Sequence, residues 1–271
     1  MVCVRLFQNT YNLLDNGNVI IYEFPFNERV RTLLRLESLF DKVVYFTRAE
    51  GALEHHTALN GMFELLDFIG RADPKADMLQ ELERQRQILL SFRNNPDVSE
   101  IALDYSLGEI KQAHAALHLL HGKFGQSLRN NDWLMSIKHK ATLPGGASGF
   151  DVPSYHYWLK QPSQARRAAL EQWQAEVMPI RNALGIILRL LRGHSEMRSL
   201  IAQNGQYEQN LSGSSFQMAR VALEKEWQVI PEISANRHVL RIRFVLPSET
   251  ETKSHCADAD VPFKLSFCSL V

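Results

Sequence analysis

Three histidines, His114, His118 and His121, fall at i, i+4 and i+7 of one predicted helix. Two imidazoles one turn apart can chelate a divalent metal. No glutamate follows His114 as in the zinc hydrolases, and no carboxylate or thiol stands near in sequence, so a partly exposed helix face is the plainer reading. His55 and His56 are adjacent and point apart on a helix, which leaves them no joint role. The stretch Gly146-Ala147-Ser148-Gly149-Phe150 comes close to a nucleophile elbow but lacks its last glycine, and an extended segment follows where that motif requires a helix. Pro144-Gly145-Gly146 lacks the Lys-Ser/Thr pair and the following helix of a phosphate loop. The pairs Glu81/Glu83 and Asp258/Asp260 sit among charged neighbours and read as solvated surface, whereas an acid/base pair needs burial to separate its pKa values.

Charge carries more information than any of these. Thirty Lys+Arg balance thirty Asp+Glu over 271 residues, a total that speaks against a dedicated nucleic-acid binder. The balance is uneven along the chain. Residues 123–200 hold eleven basic and five acidic side chains, a segmental charge of +6 that the remainder cancels. Arg241 and Arg243 then alternate with Leu240, Ile242 and Phe244 in a strand pattern, with Arg237 just before them. In a sheet with one face on the core, that arginine row points to water or to a partner. Solubility and edge protection explain a single arginine; a row beside a basic segment fits an anionic partner.

The elements that position these residues follow from periodicity. Apolar residues make up 45% and charged residues 22%, ordinary values for a globular chain with a sizeable core. Val19–Phe24 reads as a strand stopped by Pro25. Asn27 caps a helix with Leu36, Leu39, Phe40 and Val43 on one face. Further helices run through Leu59–Ile69, from a capping box at Asp77/Gln80 to Phe92, from a second box at Asp97/Glu100 to about His121, and from about Asn131 to Lys140. The run Leu143–Gly149 cannot be helical, and aromatic-rich Phe150–Leu159 reads as a strand or extended segment. Two helices follow Pro162, separated by Pro179. Strands at His238–Leu246 and Phe263–Cys268 close the chain, joined by a polar, acidic hairpin loop over 248–260.

The expected fold is therefore α+β and mostly helical: a helical bundle domain with a smaller, mostly antiparallel β domain. In outline, 1–18 is an N-terminal extension and 19–26 a strand joining the β domain. Residues 27–142 and 161–210 are helical, 143–160 is a loop and extended segment associated with the β domain, and 211–271 is the β domain. Cys3, Cys256 and Cys268 match neither a zinc ribbon nor a redox motif and read as free thiols of a reducing cytoplasm. The longest apolar run, Leu184–Leu191, is broken by Arg189 and is shorter than the ~20 residues of a membrane span. No signal peptide pattern opens the sequence.

An ordered set of motifs resembles one family. It opens with Phe24-Pro25-Phe26-Asn27-Glu28-Arg29-Val30-Arg31 and continues through Glu64-Leu65-Leu66-Asp67 and Leu79-Gln80-Glu81-Leu82. It is densest at Leu143-Pro144-Gly145-Gly146, Gly149-Phe150-Asp151-Val152-Pro153 and His156-Tyr157-Trp158-Leu159. Asn204-Gly205-Gln206-Tyr207 and Arg241-Ile242-Arg243-Phe244 complete it, over roughly residues 19–268. The set is similar to the ZapD family of Z-ring-associated cell-division proteins.

The resemblance implies a homodimer without catalysis, cofactor or metal, held in the cytoplasm and recruited to the division site at mid-cell. It implies binding to the short acidic and apolar C-terminal tail of FtsZ and cross-linking of FtsZ filaments, with no nucleic acid and no membrane insertion. Carried over by position, the family's basic surface corresponds to Arg71, Arg129, Lys138, Lys140, Arg237 and Arg243, with Arg241 beside them. Arginine suits such a tail, through steering and charge-assisted hydrogen bonds to carboxylates. The residues alone leave two other readings: a nucleic-acid-binding protein using the 123–200 excess, and a metal-dependent hydrolase built on the histidines.

Overall fold

The computed structural model describes residues 18–120, 124–193, 195–247 and 255–270. The expected N-terminal extension, His121 and most of the acidic loop lie outside them. The fold is mixed α+β, with a large helical region and a smaller antiparallel β-sheet domain. Strand β1 (Val19–Pro25) leads into helices α1 (Glu28–Arg48), α2 (Ala52–Ala72), α3 (Lys75–Ser91), α4 (Glu100–Leu119), α5 (Gln126–Arg129), α6 (Asp132–Ala141), α7 (Pro153–Leu159), α8 (Ser163–Gln174) and α9 (Met178–Gly193). Strands β2 (Arg198–Ala202), β3 (Gln206–Asn210), β4 (Met218–Glu224), β5 (Ile230–Ala235), β6 (Val239–Val245) and β7 (Val261–Cys268) follow. The chain divides into two compact units, one of residues 32–92 and 103–187, the other of the remainder.

In the helical unit α2 is the central element. Ala58, Leu59, Met62, Phe63, Leu65, Leu66 and Ile69 are all buried, so nearly every side of the helix is covered, as expected where apolar residues surround a helix. Asn27 caps α1 by accepting from the Val30 N–H at 2.8 Å, and Asn131 caps α6 by accepting from Leu134 N–H at 3.0 Å. The two capping boxes read from the sequence are absent. Helix α3 starts two residues before Asp77, after Pro74, and α4 is capped by the Ser99 hydroxyl, which accepts from Ala102 N–H at 3.4 Å. Glu100 instead turns back to accept from Asn94 N–H at 2.9 Å.

The aromatic segment expected to be extended is helix α7. Pro153 begins it, where the missing N–H costs nothing, and Val152 and Tyr155 are buried one turn apart. Tyr155 reaches α2, where its hydroxyl meets His56 Nδ1 at 2.6 Å. Tertiary packing here overrides the strand propensity of aromatic residues.

In the β unit two antiparallel sheets share one core. The orders are β1-β4-β7-β2 and β3-β6-β5. Leu240, Ile242 and Phe244 from the smaller sheet pack with Val221, Phe263 and Leu265 from the larger, and Phe244 and Phe263 have ring centroids 5.0 Å apart. Two expectations are corrected. Residues 198–210 are strands rather than a continuation of the helices. Asn204 and Gly205, at φ 48° and 68°, make the two-residue turn between β2 and β3, and positive φ at both positions is what Asn-Gly favours. A side chain on Gly205 would also come within 2.5 Å of the Ala257 carbonyl oxygen. Strands β6 and β7 belong to different sheets and do not pair; the chain after the expected hairpin loop instead lies antiparallel to the end of β6, where Val245 bridges Cys256 and the Leu246 N–H donates to the His255 carbonyl at 2.9 Å, before β7 begins in the larger sheet.

Candidate partner-binding site

Strand β6 runs down the middle of the smaller sheet. Its alternation buries Leu240, Ile242 and Phe244 and turns Arg241 and Arg243 outward, 68% and 53% exposed. Neither stands alone. Glu208 on β3 lies opposite Arg241 and meets its Nε at 2.8 Å. Glu232 on β5 lies opposite Arg243, 3.7 Å from its Nη1. The arginine row is thus threaded with acids from both neighbouring strands. Exposed pairs of this kind contribute only about 0–1 kcal/mol each.

Arg237 occupies the turn between β5 and β6. Asn236 shapes that turn, its Oδ1 accepting from the His238 and Val239 N–H groups at 2.8 and 2.9 Å. The Arg237 Nε donates to His238 Nε2 at 2.9 Å. The turn borders a cavity of about 320 Å³ lined by Phe24, Phe26, Arg31, Leu211, Phe216 and Arg237, among others. A second cavity of about 490 Å³ shares Ser214 and Phe216 with it, and is lined also by Arg198, Tyr207, Gln209 and Phe267. An aromatic row runs under both. Phe24 meets Phe26 edge-on at 5.9 Å, Phe26 stacks on Phe267 at 6.3 Å, and Phe267 stacks on Phe216 at 4.6 Å. The arrangement offers apolar floor beside guanidinium groups, which suits a short chain of alternating apolar and acidic side chains. Sequence reasoning placed Arg237 here and missed the row of phenylalanines. Their signal was the alternation Phe24-Pro25-Phe26, which reads equally as the end of a strand.

In the helical unit three of the expected residues gather at the C-terminal turns of α2. Arg129 donates to the Leu66 carbonyl and lies over Gly70, where a Cβ would come within 2.6 Å of its Nη2. Lys138 on α6 pairs with Asp67. Arg71 donates through Nε to the Asp67 carbonyl at 3.2 Å. Cations here also complement the negative end of the helix dipole. Lys140 is not part of this group. It sits two residues beyond Lys138 on another face of α6, with its ammonium 3.5 Å from Asp151. The Asp151 carboxyl is held below its usual pKa, chiefly by the Ser148 hydroxyl and then by the Lys140 charge.

Other candidates fare differently. The rings of His114 and His118 lie 6.3 Å apart, but among the described residues no three His, Cys, Asp or Glu side chains gather as metal ligands. Cys256 and Cys268 are free thiols. Glu81, expected to be solvated, is buried and accepts from Arg84 Nη2 at 2.7 Å and from Gln85 at 2.9 Å. Glu83 is half-buried, and hydrogen bonds from Arg86 and Gln87 hold its pKa at about 2. Among the described residues no helix is long and apolar enough to cross a membrane.

A family model described as the cell division protein ZapD matches residues 34–243. The chain is 56% identical over 252 residues to the cell division protein ZapD of Dechloromonas aromatica strain RCB, covering 93% of this chain and 100% of the relative. The namesake proteins of Aromatoleum aromaticum and of Azoarcus sp. strain BH72 are each 49% identical over 252 residues, or 93% of this chain, covering 98% and 100% of those relatives.

Proposed function

Because the chain belongs to the ZapD family of cell division proteins, we propose that it binds the C-terminal tail of FtsZ through its basic surface and cross-links FtsZ filaments as a homodimer. The observation that carries this reading is the cavity beside Arg237, where Arg31 and Arg237 flank the aromatic row of Phe24, Phe26 and Phe216. A tail of apolar and acidic residues sets its apolar side chains on that floor and its carboxylates against the guanidinium groups. Arg241 and Arg243 extend the positive field along the sheet and steer the tail inward. Their partners Glu208 and Glu232 limit that field, so its reach is short and salt-dependent.

Arg71, Arg129 and Lys138 form the second basic cluster, and Lys140 a separate one. In this reading they add long-range attraction for the acidic tail, while their local bonds to α2 and to Asp151 hold the helices in place. Two tail sites on a two-fold dimer, facing many tails on a filament, turn weak single contacts into firm bundling by effective concentration. The protein then acts in the cytoplasm at mid-cell, as a structural factor rather than a catalyst. The test is charge reversal with the fold intact. Arg237→Glu should abolish co-sedimentation with FtsZ filaments while leaving circular dichroism unchanged. Normal pelleting of that variant would remove Arg237 from the site.

A further inference from the structure

Strand β2 lies at the edge of the larger sheet and is shorter than its neighbour β7. Its register begins with Arg198 opposite Leu265, so Phe267, two residues further along β7, has no strand beside it on that side. The gap opens into the cavity of about 490 Å³, within the ~300–1,000 Å³ range of small-molecule sites.

The lining points to one class of ligand. Leu200, Tyr207, Phe216, Leu265 and Phe267 give the cavity an apolar floor. Arg198 shares a strand face with Leu200 and Ala202, which pack into the core, so its side chain is set along the inside of the sheet. It meets no carboxylate among the described residues. Burial raises the pKa of the Tyr207 phenol and the Arg198 charge opposes that rise, which puts the guanidinium near the ring.

The acceptors around Arg198 are already engaged. Gln209 Oε1 accepts from the Tyr207 hydroxyl at 2.8 Å, Asn210 Oδ1 from the Ser212 N–H at 2.8 Å and Ser195 Oγ from the Cys268 thiol at 3.3 Å. Donors are left over. They are the Arg198 guanidinium, the Asn210 amide group and the second N–H of Gln209, whose first goes to the Asn210 carbonyl at 3.1 Å. Glu196, the acid of the lining, has a partner of its own. A rim of donors around a single cation suits a group that only accepts and carries one negative charge, and the guanidinium fork fits a carboxylate with two hydrogen bonds. An inward charge on an edge strand also deters stray strand pairing, but that role needs neither the cavity nor the surplus donors.

We propose that this cavity binds a small monocarboxylate with an apolar body, its carboxylate on Arg198 and its body on Phe216 and Phe267. The site is distinct from the cavity beside Arg237, and the proposal does not depend on the FtsZ reading.

The experiment titrates the full chain with hydrocinnamate by calorimetry, with hydrocinnamyl alcohol as the neutral compound of the same body. The acid should bind saturably at one site per chain, and the alcohol roughly tenfold more weakly, the loss expected of a hydrogen-bonded charge. Arg198→Gln should weaken the acid by a similar factor and leave the alcohol unchanged, and Arg198→Lys should recover part of the loss. Ser214→Trp, on the exposed loop between β3 and β4, should fill the cavity and abolish binding of both compounds with an unchanged melting curve; it serves if Arg198→Gln does not fold. No saturable binding, equal binding of acid and alcohol, or acid binding that survives these variants would overturn the proposal. A synthetic FtsZ tail peptide separates this site from the functional one. Arg198→Gln should bind the peptide as the wild type does; parallel loss of acid and peptide would assign Arg198 to the tail site and overturn the proposal. A wild type that binds the acid but no peptide leaves this inference standing and sinks the functional reading.

Discussion

Glu23 on β1 grips Arg192 with both carboxylate oxygens, at 2.8 Å to Nε and 2.6 Å to Nη2. The same carboxylate lies 3.0 Å from Arg220 Nε on the neighbouring strand β4. The arginine side chains are 6% and 9% exposed and Glu23 18%, so one carboxylate holds two nearly buried guanidinium groups within the β unit. Removing it takes a bidentate partner from one nearly buried charge and the adjacent carboxylate from the other. Glu23→Ala should destabilise the fold by about 3–5 kcal/mol, the usual cost of orphaning a buried charge. Urea denaturation measures it. A loss below 1 kcal/mol would mean that water compensates the arginines.

His55 gives the helical unit a pH dependence. It is fully buried, its Nδ1 accepts from Arg166 Nε at 3.0 Å and its Nε2 donates to the Ala49 carbonyl at 2.9 Å. Burial, and then the positive charges of Arg166 and Arg167, push its pKa below the usual value near 6.5, against the pull of its backbone hydrogen bonds. The neutral ring is the folded form. As pH falls below about 6.5 the unfolded chain takes up a proton that the folded ring resists, so stability is full above that pH and declines below it. The urea midpoint should therefore drop between pH 7.5 and 5.5, and drop less in His55→Gln. An equal drop in both proteins would assign the effect to other groups, His56 first, whose pKa burial also lowers.

Asn131 tests how firmly α6 holds Lys138 and Lys140. Its side chain satisfies the Leu134 N–H at 3.0 Å, so Asn131→Ala should cost ~1 kcal/mol. Thermal melting compared with Asn131→Asp, which keeps the acceptor, separates the lost cap from other effects. Asn131→Asp should recover most of the loss.

Glu208 is the most informative acid. It neutralises Arg241 at 2.8 Å on the exposed sheet face. Glu208→Gln should strengthen association with FtsZ filaments at low salt, by severalfold, and the gain should vanish at high ionic strength. A weaker or salt-independent effect would show that the sheet face plays no part in steering.

Much of this was legible before the structure. Leu240, Ile242 and Phe244 alternate with two arginines, and that pattern places β6 and the outward arginine row directly. Asn27 and Asn131 mark helix starts because a capping side chain is a local signal. Helix α7 was not legible, because Tyr155 and Trp158 carry strand propensity and only packing against α2 decides between the alternatives. Strands β2 and β3 were missed although Asn204-Gly205 announces their turn. The carboxylates that meet Arg241 and Arg243 could not be foreseen, since strand register, and hence the identity of cross-strand neighbours, is set by the whole sheet. The aromatic row from Phe24 to Phe216 depends on the same long-range pairing.

The central claim, that this protein works by gripping the FtsZ tail, is tested most directly by co-sedimentation with FtsZ lacking its C-terminal tail. The expected result is pelleting with full-length filaments and none with tail-deleted filaments under the same salt conditions. Equal pelleting with both would contradict the account and move the site away from the cavity beside Arg237.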